Sequence, residues 1–133
     1  QEFYLINTHL QSDYKTKYNM VRTNQYMKIN ENLILPNMKQ GIPLILCGDL
    51  NISKPSRLAS LLKKLKLKNG LLSGKLQFST MGQYKELLDY ILVKTETFKF
   101  QSVERKIQDL RGDFIINPNQ LSDHYPIEGI FKW

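Results

Sequence analysis

A few polar residues stand at the ends of apolar runs, where a folded sheet exposes its loops. Asp49 and Asn51 follow the apolar segment Leu44–Cys47. Two residues apart in extended chain, they face the same way, so a carboxylate and an amide can meet a cation or a phosphoryl oxygen together. The same two residues also fit a turn that caps a helix opening at Pro55-Ser56. Asp123-His124 precedes a final strand and offers an imidazole that titrates near neutral pH, the property of a general base. Adjacent side chains diverge, so a carboxylate that orients His124 must come from elsewhere; an isolated Asp-His is otherwise a surface turn. Asp89 lies between Leu87-Leu88 and Tyr90-Ile91. An unpaired carboxylate there is costly, and its natural partner is His9 or His124, the chain's 2 histidines, unless that strand presents an open face. His9, in Asn7-Thr8-His9, can donate to a phosphoryl oxygen, ligate an ion, or serve the structure alone. The reaction such groups could run together is hydrolysis of a phosphate ester. It needs a hard cation, an activated water and stabilisation of the charge on phosphorus-bound oxygen.

The elements that must position these groups alternate between strand and helix. Phe3 to Leu10 is β-rich. Tyr14 to Ile34 lacks Gly and Pro and predicts a helix that stops before Pro36, with Met20, Met27 and Ile34 on one stripe and Tyr26, Ile29 and Leu33 on a second. Arg22 and Gln25, three apart, share a face and are read as scaffold. Leu44 to Cys47 predicts a strand covered on both sides. Leu58, Leu61, Leu62 and Leu65 give the stripe of an amphipathic helix, with Lys63, Lys64, Lys66 and Lys68 as its solvated face. Leu71 to Gln83 predicts a loop with at most a short strand. Strands are expected over Glu86 to Lys94, Phe98 to Arg105 and Tyr125 to Trp133, with a loop from Asp109 to Gln120. This interleaving predicts an α/β or α+β domain.

Composition narrows the partners. At 133 residues the chain is a single domain by length. No run approaches the apolar length of a membrane span. A net charge of +7 and a pI near 9.5 favour phosphate-bearing partners, whether nucleic acid, an anionic membrane or small phosphates, and equally suit a plain solvated surface. The lone Cys47 excludes an intrachain disulfide and is expected to be a buried, inert thiol. Neither a zinc site nor a thiol nucleophile is evident.

In order, the polar loops form a pattern. Asn7-Thr8-His9-Leu10, Gly48-Asp49-Leu50-Asn51, Leu88-Asp89-Tyr90-Ile91 and Ser122-Asp123-His124-Tyr125-Pro126 span nearly the whole chain, with intervals of 40, 40 and 35 residues from His9 through Asp49 and Asp89 to His124. The chain resembles the endonuclease/exonuclease/phosphatase superfamily of magnesium-dependent nucleases, phosphoinositide phosphatases and sphingomyelinases. The resemblance implies the C-terminal half of a four-layer α/β/β/α sandwich. It implies His124 as general base, Asp89 as the carboxylate that holds its tautomer, and Asp49 and Asn51 as contacts to a metal or its water and to phosphoryl oxygens. It implies Asp123 as a ligand to metal or its water, and His9 as a stabiliser of charge on the phosphate.

Val21-Arg22-Thr23-Asn24-Gln25, Ser60 to Leu65 and Tyr84 to Ile91 are similar to segments of bacterial neutral sphingomyelinases. That branch implies sphingomyelin phosphodiesterase activity at a membrane surface, by a secreted or peripheral membrane protein. A nuclease acting on DNA or RNA, a phosphoinositide phosphatase and a non-catalytic half-domain are the alternatives. The segment from Asn51 to Asp89 is shorter than in those enzymes, and only Phe114-Ile115-Ile116 offers an apolar loop for membrane insertion. The family's early strands carry an Asn and a Gln-Glu whose carboxylate binds the principal Mg²⁺. Gln1-Glu2 imitates that dipeptide but lies too close to His9. The expectation is therefore a partial domain whose N-terminal half is absent. Alone it would be inactive and would bind Mg²⁺ weakly or not at all. It would either be complemented by another chain or self-associate through an exposed sheet.

Overall fold

The structure, a computed structural model, describes residues 2–12, 18–81, 83–109 and 122–133. Two stacked sheets carry it. β1 (Tyr4–His9), β2 (Leu44–Asp49), β5 (Asp89–Lys94) and β3 (Leu67–Asn69) form the first sheet, in that spatial order. β4 (Leu71–Ser73), β6 (Ser102–Ile107) and β7 (Ile127–Lys132) form the second. β1 and β2 run parallel, a pairing that needs a crossover, and α1 (Tyr18–Ile29) provides it. β5 then pairs antiparallel with β2.

Alternation along the strands sorts side chains between two cores. Tyr4, Ile6, Leu44, Leu46, Tyr90 and Leu92 pack with Tyr26 of α1 and with Leu61 and Leu65 of α2 (Pro55–Leu65). The opposite parity, Ile45, Ile91 and Val93, meets Val103, Ile127 and Phe131 of the second sheet. Helices, first sheet and second sheet thus stack as layers of a sandwich. Leu5 shares the inward parity of its partner Ile45, yet remains 57% exposed. Among the described residues, the buried apolar contacts of the first sheet with the second are made by Ile45, Ile91 and Val93.

Several expectations shift in detail. The first helix ends at Ile29 and continues through a π turn, Asn30–Ile34, and a 3-10 turn, Leu35–Asn37, instead of remaining α-helical to Ile34. Residues 14–17 of the expected helix lie outside the described residues. Met20 does not join Met27 and Ile34 on a buried stripe; it is 73% exposed, and Tyr26 fills the core in its place. β3 follows α2 directly, a strand not anticipated. Phe98 and Phe100 precede β6 without joining it and stack edge to face. The four lysines expected on the solvated face of and beyond α2 are exposed. Cys47 is only half-buried; its thiol donates to Asn7 Oδ1 at 3.8 Å, and burial raises its pKa. The expected loop from Asp109 to Gln120, with Phe114-Ile115-Ile116, lies almost wholly outside the described residues.

Candidate active site

Register sets the site. His9 is the Cα partner of Asp49 across β1 and β2, and Asp49 is the Cα partner of Asp89 across β2 and β5. Three residues 40 apart in sequence therefore stand in a row at one end of the first sheet. His9 Nε2 lies 3.3 Å from Asp49 Oδ2. Gly48 permits the approach. Its φ is +122°, and a Cβ there would fall 2.0 Å from the Thr8 carbonyl oxygen and 2.8 Å from Asn7 Oδ1.

Asn51 reaches the site by a route other than the extended one. Its φ is +52°, and its amide donates to Asp49 Oδ1 at 2.7 Å, the closed turn that a short carboxylate makes with the amide two residues on. The turn does not cap α2, whose N-cap is Lys54 with no side-chain bond. Asn51 Nδ2 donates to the Leu10 carbonyl at 2.7 Å, leaving its amide oxygen without a hydrogen bond among the described residues. α1 in turn steadies that loop. Arg22, 3% exposed, donates to the Gln11 carbonyl at 3.0 Å and to Asn19 Oδ1 at 2.7 Å, while the Gln11 amide donates to Gln25 Oε1 at 2.9 Å. The shared face of Arg22 and Gln25 is a clamp on the chain leaving β1.

His124 arrives three residues ahead of β7. It forms an isolated antiparallel bridge with Thr80, and its amide donates to Ser122 Oγ. Its ring spans the two aspartates. Nδ1 is 2.7 Å from Asp89 Oδ2, and Nε2 is 3.8 Å from Asp49 Oδ2. A carboxylate accepts only, so the Asp89 bond fixes the proton on Nδ1 and leaves Nε2 as the basic nitrogen. Burial lowers the His124 pKa; the Asp89 hydrogen bond and the charges of Asp89, Asp49 and Asp123 outweigh it, and the net shift is upward. Burial also raises the Asp49 pKa, with the Asn51 amide pulling against it. Asp123 is exposed on the same cleft, its carbonyl accepting from the Met81 amide at 2.7 Å.

The cleft holds about 1530 Å³ and is lined by His9, Asp49, Asn51, Asp89, Asp123 and His124, with Met81, Tyr84 and Lys85 also in its lining. All six candidate residues thus converge. Three aspartates, Asp49, Asp89 and Asp123, line this cleft of a chain with net charge +7. Asp49 and Asn51 offer oxygen donors, right in kind for a hard ion. They are few, and among the described residues no group of three His, Cys, Asp or Glu is arranged to hold a metal.

Two supporting residues escaped the sequence. Arg105, 4% exposed, donates to the Gly70 carbonyl at 3.1 Å and to the Asp89 carbonyl at 3.0 Å, with its guanidinium 4.9 Å from the Tyr90 ring centroid. Its signal was parity: Val103, Arg105 and Ile107 point the same way along β6. Ser79, fully buried, accepts amides at the head of β5; nothing in its local sequence distinguishes it.

The fold is of the endonuclease/exonuclease/phosphatase type and resembles that of sphingomyelinases. Among solved structures, beta toxin from Staphylococcus aureus superposes with a TM-score of 0.78 at 21% identity, over 96% of this chain and 52% of that one. Sphingomyelinase C from Streptomyces griseocarneus gives 0.72 at 19%, over 97% and 52%. An endonuclease/exonuclease/phosphatase family protein from Bacteroides thetaiotaomicron gives 0.60 at 18%, over 92% and 47%. A beta toxin mutant of the same fold carries bound magnesium ions. The chain spans about half the length of these neighbours. No protein-family model matches it, and comparison with curated proteins likewise returns no match.

Proposed function

We propose that this chain is the base-bearing half of a metal-dependent phosphodiester hydrolase, of sphingomyelinase type. The observation that carries the reading is the 2.7 Å contact of His124 Nδ1 with Asp89, which leaves Nε2 free to take a proton on the side of Asp49. In this reading His124 Nε2 removes the proton from the attacking water. Asp89 keeps the ring in the Nδ1–H tautomer and stabilises the imidazolium that forms. His9 donates to a phosphoryl oxygen as charge gathers there, and the Asn51 amide group helps to position the phosphate. Asp49, Asn51 and Asp123 would hold Mg²⁺. When bound, that ion supplies Lewis-acid stabilisation of the phosphoryl charge; further ligands to it would come from a complementing half.

The exposure of Leu5 on the inner face and coverage of about 52% of beta toxin support the half-domain reading. Completion by that half, or self-association through the exposed sheet, would cover Leu5. The proposed substrate is a membrane phospholipid met at an anionic surface, by a secreted or peripheral protein. Among the described residues no helix is long and apolar enough to cross a membrane. The net charge of +7 also suits a nucleic acid, so nuclease activity is the second reading. The full-length protein, assayed with Mg²⁺ on sphingomyelin vesicles and on plasmid DNA, separates the two. Release of phosphocholine is expected; nicking of plasmid without it would sink the lipid reading.

A further inference from the structure

Asp89 and His124 belong to different limbs of the chain, and a 2.7 Å contact between them requires something that holds both limbs. The segment from Ser79 to Met81 lies between them. Ser79 Oγ accepts the amides of Leu88 at 3.0 Å and Asp89 at 3.1 Å. The Ser79 carbonyl accepts the amide of Tyr125 at 2.8 Å, and its own amide donates to the Glu86 carbonyl at 2.8 Å. Thr80 bridges His124, and the Met81 amide donates to the Asp123 carbonyl. One fully buried serine therefore touches the backbone of Asp89 with its side chain and that of Tyr125, beside His124, with its main chain.

We propose that Ser79 is the positioning residue of the Asp89–His124 pair, its hydroxyl fixing where the Asp89 carboxylate begins relative to the imidazole. The reason for serine is specific. The Leu88 and Asp89 amides are taken up by a side-chain oxygen, and alanine would leave both donors, one buried and one partly so, without that acceptor. Relaxation of β5's head to satisfy them would carry Asp89 away from the ring. This proposal rests on the functional reading above only for its consequence in turnover; the geometry it claims is readable without activity.

The test is ¹⁵N-imidazole NMR of this chain, with the Nδ1–H proton as a second signal. Wild-type His124 is expected in the Nδ1–H tautomer, with a downfield, slowly exchanging ring N–H. Ser79→Ala is expected to lose that resonance and populate both tautomers, whereas Ser73→Ala, on the second sheet, leaves both signals in place. A purely structural role would lower the unfolding midpoint of Ser79→Ala and leave the ring signals unchanged, which would overturn the proposal. Where the alanine variant does not fold, Ser79→Cys fills the site with a slightly larger side chain and a weaker acceptor. Loss of the resonance then supports the role, and its retention refutes it. In the wild type, Leu88 and Asp89 amides that exchange as fast as exposed ones would also refute it. A ring that depends on Ser79 in a protein that hydrolyses no phosphodiester would sink the proposed function and leave this clamp standing; the reverse pattern would do the opposite.

Discussion

Asp49 and Asp89 stand opposite each other as register partners across β2 and β5, two carboxylates at the same sheet end with the ring of His124 in contact with one and 3.8 Å from the other. One imidazole between two acids divides their tasks. Asp89 is engaged by Nδ1, and Asp49 faces His9 and the Asn51 amide.

The first consequence is for turnover. His124→Ala is expected to reduce phosphodiester hydrolysis by the full-length protein about 10²–10⁴-fold, the usual contribution of a general base, with the fold retained. Asp89→Asn should fall in the same range, because an amide facing Nδ1 no longer selects the productive tautomer. Steady-state rates with Mg²⁺ measure both, and full activity in Asp89→Asn would refute the pairing.

A second consequence is pH dependence. His124 has its pKa raised in the folded protein, so its protonated form is favoured by folding. Its stabilising contribution is complete below the unfolded value of about 6.5 and is lost as pH rises through the higher folded value. Asp49, also raised, acts in the same sense from a lower range: its contribution is complete below its unfolded value and fades as pH rises through the folded one. Urea midpoints of the metal-free chain should therefore decline across the range just above pH 6.5 in the wild type, and less in His124→Ala. Turnover should move oppositely, since only the neutral ring accepts a proton.

Gly48→Ala should damage the fold at the site. A methyl group 2.0 Å from the Thr8 carbonyl cannot be placed without parting β1 from β2, and φ of +122° adds strain. Backbone strain of this kind costs about 1–3 kcal/mol, and the contact adds to it. Urea denaturation measures the loss; a change under about 0.5 kcal/mol, the scatter of an ordinary surface substitution, would contradict the geometry.

Arg105→Met tests the support beneath Asp89. Removing the guanidinium leaves the Gly70 and Asp89 carbonyls without their buried donor, a loss on the order of 1–3 kcal/mol. Lower turnover without a change in KM is expected alongside it. Unaltered stability and kcat would show that Arg105 does not steady the site.

Magnesium binding should be weak or undetectable by calorimetry on this chain alone, because Asp49, Asn51 and Asp123 would supply only part of the shell that a hard ion demands, and no group of three His, Cys, Asp or Glu among the described residues is arranged to hold a metal. Binding in the micromolar range, abolished by Asp49→Asn, would mean that the metal site is complete here.

Much of the site was legible in the sequence because register turns spacing into proximity. Apolar runs ending near His9 and Asp49 marked strand ends; Asp89 looked to lie inside a strand that it in fact opens, and there the cost of burying its carboxylate demanded a partner. What stayed hidden were contacts set by tertiary geometry. The left-handed backbone of Asn51 replaced the expected extended pair. Met20 looked like core by its spacing, but the helix turned it outward. Ser79 carries no local mark, because its two acceptor bonds reach 9 and 10 residues along the chain. Arg105 was obscured by its charge, which in a strand ordinarily signals solvent.

A double-mutant cycle on the rate of Mg²⁺-supported phosphodiester hydrolysis, with Asp89→Asn and His124→Ala in the full-length protein, probes the coupled pair itself. The double variant is expected to be no slower than His124→Ala alone, since an orienting carboxylate has no task once the ring is gone. Losses that multiply would show that the two residues act separately and would contradict the account.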